Sequence, residues 1–450
     1  MKAFRARALT VAGSDSGGGA GIQADLKTFA ALGVHGMCAI TAITAQNTVG
    51  VYDVQDIDVN VIRSQIRAVV EDIGVDAVKT GMLHTSQIID AVAEELSKLS
   101  KPIVVDPVMV AKSGAELLRQ DAVKALIEKM LPISTVLTPN AVEASKLAGF
   151  AVKTLEDAKR AAKAIAEMGP KAVVVKGGHI NAERSVDTLY YDGEFRTLDS
   201  PRIDTKNTHG TGCVFASAIA AELAKGSDII DAVLVAKQFV LNAIKNGISI
   251  GRGHGPVNPS AYVYEAAMRF EALEYLKKAV RMLESNPAVA NLIPETQSNI
   301  VMAIPYAESR DEVVAIPGRI VRQPWGVKAS GCPEFGASRY VANVLLAAME
   351  YNPNVRAAMN IRLGKDVLNA IKDLTLSVAR YDMRLVPEDV KKTEEMSVRW
   401  GIGQAVKSCG ELPNVVYHEG DWGKEPMVVV FGKDAVEVAS FVIKLAEMIK

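Results

Sequence analysis

The chain has 450 residues, enough for two or three domains that each bury a core. Its formal net charge of −1 gives no overall electrostatic case for nucleic acid or an anionic membrane, so any phosphate affinity has to be local. Cys38, Cys213, Cys332 and Cys409 are too scattered for a zinc site or a small disulfide scaffold, and no uncharged apolar run approaches the ~18 residues of a membrane span. Met1-Lys-Ala-Phe-Arg-Ala-Arg7 has no apolar signal core, so a cytoplasmic location is expected.

Ala8 to Ala12 reads as a short buried strand, and Gly13-Ser-Asp-Ser-Gly-Gly-Gly-Ala-Gly-Ile-Gln-Ala-Asp-Leu-Lys27 follows it as a glycine loop running into a helix. Gly19-Ala-Gly-Ile-Gln-Ala24 fits the G-x-G-x-x-A dinucleotide fingerprint in form, but that motif needs an acidic residue about 20 positions on. The chain there reads Cys38-Ala-Ile-Thr-Ala-Ile-Thr-Ala-Gln46, with no acid. A G-x-x-x-x-G-K-S/T loop is also missing, so ATP, if used, is held without a P-loop.

Further on, Val75 to Lys79, Ile103 to Val105, Val136 to Leu137 and Ala172 to Val175 are short, apolar and β-branched. Helical patterns such as Ile88 to Leu99 and Leu155 to Met168 lie between them. This is a βα succession, an α/β fold with a mostly parallel sheet. Ligands of such sheets sit beyond the carboxyl ends of the strands, where Gln46, Lys79 to Met82, Asp106 and Asn140 to Glu143 fall.

Asp204-Thr-Lys-Asn-Thr-His-Gly-Thr-Gly-Cys213 then leads into the small apolar run Val214 to Ala224. Gly210 and Gly212 allow a tight turn just before a helix, so that amide N–H groups and the positive helix end converge on a phosphate. Cys213 falls at the helix start, where a thiol pKa is expected to move down toward neutrality.

Together these stretches resemble the hydroxymethylpyrimidine and hydroxymethylpyrimidine-phosphate kinases of thiamine biosynthesis, which have a ribokinase-like fold. The resemblance covers roughly the first ~260 residues, more than a typical single domain. It rests on the glycine loop, Thr44-Ala-Gln-Asn47, Lys79-Thr-Gly-Met82, Asp106-Pro-Val-Met109, Thr138-Pro-Asn-Ala-Val-Glu143, Lys176-Gly-Gly-His179 and Thr-His-Gly-Thr-Gly-Cys213. It implies ATP and Mg2+ as cofactors, small-molecule substrates and a homodimer.

The likeness also assigns residues. Asp25, Gln46, Met82 and Val108 form the pyrimidine pocket, with a carboxylate and a carboxamide for the ring's polar edge and Met and Val for its faces. Asp106 and Glu143 organise Mg2+, while Asn140, Lys176 and Thr208 meet the nucleotide phosphates. Gly210 and Gly212 shape the anion hole, and Cys213, standing where many sugar kinases of this fold carry an aspartate base, is assigned as the base. One site would perform both phosphorylations, with glycines Gly17 to Gly21 offering N–H donors to a substrate phosphate. Val110-Ala-Lys-Ser-Gly114 is expected to form a lid.

A boundary is expected after Gly251-Arg-Gly-His-Gly-Pro-Val-Asn-Pro259, placing the first domain at 1–260. A connecting helix at 261–286 follows, with Val263, Ala267, Phe270, Leu273, Leu276, Val280 and Leu283 at helical spacing. The remainder, 287–450, resembles the ThiN-type thiamine-phosphate synthase domain. The carriers are Asn299-Ile-Val-Met-Ala-Ile-Pro305, Asp311-Glu-Val-Val-Ala-Ile-Pro-Gly-Arg-Ile320, Glu334-Phe-Gly-Ala-Ser338 and Ala357-Ala-Met-Asn-Ile361. By that resemblance Arg319 is the catalytic arginine, and Ser338 is a natural helix cap beside a phosphate site. The family's synthases usually carry a histidine after the Gly-Ala-Ser turn, where this chain has Arg339-Tyr340. A second reading is therefore a ligand-binding, regulatory module. Neither a helix-turn-helix addition nor a basic stripe points to DNA.

Overall fold

A computed structural model describes residues 6–110, 114, 117–119, 121–178, 184–421 and 423–449. The chain divides into two compact units, Met1–Val263 and Tyr264–Lys450. Among the described residues no helix is long and apolar enough to cross a membrane.

The first unit is built on β1 (Arg7–Ala12), β2 (His35–Ile40), β5 (Ala77–Thr80), β6 (Ile103–Val105), β7 (Val136–Leu137), β8 (Ala172–Val175), β9 (Arg184–Tyr191) and β10 (Glu194–Pro201), while β3 (Ala42–Gln46) and β4 (Val51–Asp56) form a separate hairpin. The order is β10-β9-β8-β7-β6-β5-β1-β2. Pairing is parallel from β2 to β8 and antiparallel from β8 to β10. Helices α1 (Gly21–Ala31), α2 (Val59–Ala68), α3 (Ser86–Leu96), α4 (Ala122–Ala125), α5 (Ala141–Ala148), α6 (Leu155–Ala166), α7 (Thr211–Ala224) and α8 (Ile229–Lys245) fill the connections.

Strand alternation gives each face its own core. Leu9, Val11, Val78 and Val105 pack with Ile88, Ile89 and Val92 of α3 and Ala161, Ala162 and Ile165 of α6. Ala8, Ala77, Val104 and Val136 pack instead with α1, α7 and α8 through Phe29, Val214, Ile219 and Phe239. The helix starts follow from their caps. Thr154 accepts from Asp157 N–H in a reciprocal capping box, and Asn140 and Glu143 do the same at α5. Helix α3 ends three residues short of the predicted Leu99. β5 starts two residues after the predicted Val75.

Helix α9 (Ala261–Glu284) ends two residues short of the expected 286, and from Tyr264 on it belongs to the second unit. The helix is more than a connector, since Ala272, Leu276, Ala279 and Leu283 are fully enclosed in this unit's core. Each buried leucine contributes roughly 1.5–3 kcal/mol. The sheet contains β11 (Ile300–Ala303), β12 (Val313–Ala315), β15 (Glu334–Phe335), β16 (Ala357–Arg362), β17 (Val378–Arg380), β18 (Val415–His418) and β19 (Met427–Gly432), beside a hairpin of β13 (Ile320–Gln323) and β14 (Gly326–Ala329). Its order is β15-β12-β11-β16-β19-β18-β17. One face meets α9, α11 (Lys365–Asp373) and α13 (Ala435–Met448), and the other meets α10 (Tyr340–Met349) and α12 (Glu394–Cys409).

Candidate active site

A cavity of about 680 Å3 opens at the carboxyl ends of the parallel strands. Gln46, Met82, Asp106, Val108, Asn140, Glu143, Lys176, Thr208, Gly210, Gly212 and Cys213 all line it. Sheet topology explains the convergence, because Gly13, Gly81, Asp106 and Lys176 each follow the last residue of β1, β5, β6 and β8. Of the expected lid, residues 111–113 lie outside the described residues, as does His179.

The two glycine segments touch. Gly210, at φ 83°, precedes α7, and a Cβ there would lie 1.8 Å from the Gly19 carbonyl oxygen. No side chain at that position caps α7. The first-turn N–H groups and the positive helix end therefore face the cavity, as an anion requires. The first loop differs from expectation. Its amides at Gly17, Gly19 and Ala20 donate to the buried Asp15 carboxylate, and Gly18 N–H donates to the Asp15 carbonyl. They are satisfied within the loop, which leaves phosphate binding to α7.

Asp25 is the next correction. It is fully buried and does not line the cavity. Its Oδ1 accepts from Ser217 Oγ at 2.6 Å and Lys79 Nζ at 3.0 Å, and its Oδ2 from Thr10 Oγ1 at 2.6 Å and Lys79 Nζ at 2.8 Å. The two oxygens have about four lone-pair sites, and these donors use them. Asp25 therefore ties α1 and α7 to β1 and β5 beneath the site. Lys79 is itself enclosed; burial pushes its pKa down, but Asp25, Cys213 and Asp106 outweigh that and raise it.

Cys213 also behaves differently from a helix-start thiol. Part of the residue faces the cavity, yet burial pushes its pKa up to about 12. Lys79 pulls it down less than burial raises it, and Asp25 and Asp106 add to the rise. That rise runs against the lowered pKa expected of a thiol at a helix start. Beside Cys213, Lys176 Nζ donates to Asp106 Oδ1 at 3.1 Å. Glu143 is pushed up to about 7 by burial, helped by Asp106 and opposed by Lys176. Asn140 Oδ1 caps α5, which leaves the side-chain NH2, a donor, to offer a phosphate. Among the described residues no group of three or more His, Cys, Asp or Glu side chains is gathered for a metal.

Sequence reasoning missed four polar groups of this cavity. Asp15 and His209 lie inside quoted motifs and pair at 2.9 Å across the two loops. An aspartate within a glycine run was the available signal, since such a side chain caps following amides. Lys237 and Asp187 pair at 2.7 Å from α8 and β9, with no local pattern to announce them.

In the second unit Arg319 sits at φ 76° directly after Gly318 at φ 71°. A non-glycine residue is uncommon in this left-handed region. Asn299 pins this turn, donating to the Ile316 carbonyl at 2.8 Å and accepting from Ile316 N–H at 3.0 Å, and the Arg319 guanidinium donates to the Thr296 carbonyl. Ser338 does not cap α10. Arg339 precedes its first residue, makes no side-chain cap bond, and turns to Glu394 instead. An imidazole does reach Tyr340 from another strand: His418 Nε2 lies 3.1 Å from Tyr340 Oη. Gly420 N–H donates to His418 Nδ1, so Nε2 carries the proton and donates to the tyrosine. Burial lowers His418 to about 4 and raises Tyr340 to about 12, keeping the pair uncharged at neutral pH.

Comparison with known proteins agrees with this division. The family described as phosphomethylpyrimidine kinase matches residues 15–258, and thiamine-phosphate synthase ThiN matches residues 275–444. The hydroxymethylpyrimidine/phosphomethylpyrimidine kinase of Bacillus subtilis is 50% identical over 258 residues, 57% of this chain and 95% of its own. The thiamine biosynthesis bifunctional protein ThiED of Geobacter sulfurreducens is 48% identical over 255 residues, 56% of this chain and 52% of its own. The ADP complex of Bacillus subtilis pyridoxal kinase is 44% identical, with a TM-score of 0.54, covering 57% of this chain and 98% of that one. With more than half its length matched, and with the anion hole, buried lysine and strand-end carboxylates in one cavity, the chain belongs to the phosphomethylpyrimidine kinase family and carries a ThiN domain after it.

Proposed function

We propose that the first unit transfers the γ-phosphoryl group of ATP to the hydroxymethyl group of 4-amino-5-hydroxymethyl-2-methylpyrimidine, and then to the resulting monophosphate. The observation that carries this is the α7 anion hole opening into the same cavity as Gln46, Met82 and Val108. Met82 and Val108 pack the ring, and Gln46 meets its polar edge. Lys176, Asn140 and Thr208 face the nucleotide phosphates. The N–H groups after Gly210 and Gly212 stabilise charge on the transferring group, the dominant requirement of phosphoryl transfer. Cys213 contributes its backbone N–H and an uncharged thiol.

The donor set fits Mg2+. Asp106 and Glu143 are both buried, and Glu143 is raised to about 7 by burial, with Asp106 adding to the rise, so a cation held by the two would offset the charge that burial penalises. Mg2+ takes one or two carboxylates plus water and phosphate oxygens. When bound, it would neutralise charge between the β- and γ-phosphates. A homodimer and a cytoplasmic location belong to the same proposal, on the family likeness.

The second unit, in this reading, joins the pyrimidine diphosphate to thiazole phosphate and releases pyrophosphate, with Arg319 on the departing group. The His418–Tyr340 pair supports it by bringing an imidazole to the position that lacks one. Its neutrality favours the alternative, a ligand-binding module without a charged donor. Full-length protein incubated with Mg-ATP, hydroxymethylpyrimidine and thiazole phosphate separates the readings by product mass. Thiamine phosphate would establish both activities. Pyrimidine diphosphate alone would leave a kinase with a regulatory module, and no phosphorylated pyrimidine would refute the kinase.

A further inference from the structure

His209 Nε2 lies 2.9 Å from Asp15 Oδ2 and 3.2 Å from Gln46 Nε2, and all three residues line the cavity. Asp15 is 1% exposed and already accepts from Gly17, Gly19 and Ala20 N–H. Its pKa is lowered: burial pushes it up, but the His209 contact and these amides outweigh burial. The carboxylate can only accept, so Nε2 carries a hydrogen whether the ring is neutral or charged. The ring lies directly over Gly19 on an anchored stretch of backbone. A Cβ on Gly19 would meet His209 Cδ2 at 2.5 Å, and His209 is held by backbone bonds from its N–H to Gly255 O and from Val257 N–H to its own carbonyl, each 3.0 Å.

That hydrogen constrains the neighbour. A donor facing the Gln46 carboxamide must find its oxygen, because an NH2 against an N–H would be an unpaired clash of donors. Exchanging the two ends of the Gln46 amide removes that clash: Oε1 then shares the His209 Nε2 hydrogen with Asp15, and the NH2 points the other way, toward the ligand.

We infer that His209, locked by Asp15, is a positioning residue that fixes the Gln46 amide so that the cavity presents a hydrogen-bond donor to the substrate ring. The cavity then selects rings with an in-plane acceptor nitrogen at that edge, as a 4-aminopyrimidine has. It rejects rings that carry N–H there, as the 4-oxo analogue does. This rests on the kinase reading above for its substrate, but the selection is a binding property.

The experiment measures calorimetric affinities and kcat/KM of full-length protein for the 4-amino pyrimidine and its 4-oxo analogue. The expected preference for the amino form is about 100-fold, the scale of one good bond against one mispaired donor. His209→Phe keeps a flat ring on Gly19 without the hydrogen, and should reduce the preference below about tenfold, through KM with kcat little changed. His209→Gln restores a donor to both partners and should recover it. Gln46→Glu, which only accepts, should reverse it whether or not the His209→Phe protein folds. An unchanged ratio in Gln46→Glu, or equal ratios in folded His209→Phe and His209→Gln, would overturn the inference. Binding preference without turnover would support it while refuting the kinase reading.

Discussion

Cys213 and Asp25 show how far a residue's surroundings can redirect its chemistry. Motif position marked one as a base with a lowered pKa and the other as a substrate contact. Burial raises the thiol to about 12, and four hydrogen bonds consume the carboxylate. Replacing Cys213 with Ala should therefore lower kcat by less than about 100-fold, below the contribution of many general bases. The pH–rate profile of the native enzyme should show no thiol ionisation between pH 6 and 9. A loss above about 10,000-fold with a thiol-like inflection would reinstate the base. For the buried pair, Asp25→Leu or Lys79→Met alone should cost about 3–5 kcal/mol in urea unfolding, because each leaves an uncompensated charge. The double variant should cost less than either single. Additive losses would contradict the pairing. Neither partner reveals this to a reader of the chain, since Lys79 is 54 residues from Asp25.

Among elements, parallel strands and α9 were legible because apolar runs and a helical period report directly on which faces are buried. The hairpins β3–β4 and β9–β10 were not, as β4 and the first half of β10 are largely exposed and lack a clean alternation. Helix α10 begins at Tyr340 as its pattern indicates, but without the expected serine cap, since Arg339 precedes it and makes no cap bond. Its first residue meets His418 of β18. His418, with an ordinary pKa of 6.5, is lowered to about 4 by burial, helped by Lys424. The unfolded chain then binds more protons between those values, so its contribution is complete above pH 6.5 and is lost as pH falls toward 4. The maximum is roughly 3 kcal/mol. Urea unfolding of the second unit at pH 7.5 and 4.5 should lose that much more in the native protein than in His418→Gln. Equal losses would mean that the imidazole is not held neutral.

At the scale of the whole molecule, the cut between units has a physical location. A chain ending at Ser260 keeps the first unit's two cores and should fold and retain kinase turnover. One ending at Asn286 carries α9 without its core, exposing Ala272, Leu276, Ala279 and Leu283. It should aggregate on size exclusion or melt at lower temperature than the shorter chain. The reverse order of solubility would contradict the placement of α9 in the second unit.

The sequence by itself determined the α/β class, the family and the motifs whose residues fall at the strand ends. Local backbone demands such as a glycine at φ 83° or a run of β-branched residues leave a readable trace. Only the tertiary structure decided which of those residues face the cavity and in what protonation state. Those properties come from partners distant in the chain: Ser217 with Asp25 across 192 positions, His209 with Asp15 across 194, and His418 with Tyr340 across 78. Desolvation and hydrogen bonding act through space, and motif spacing carries no record of either.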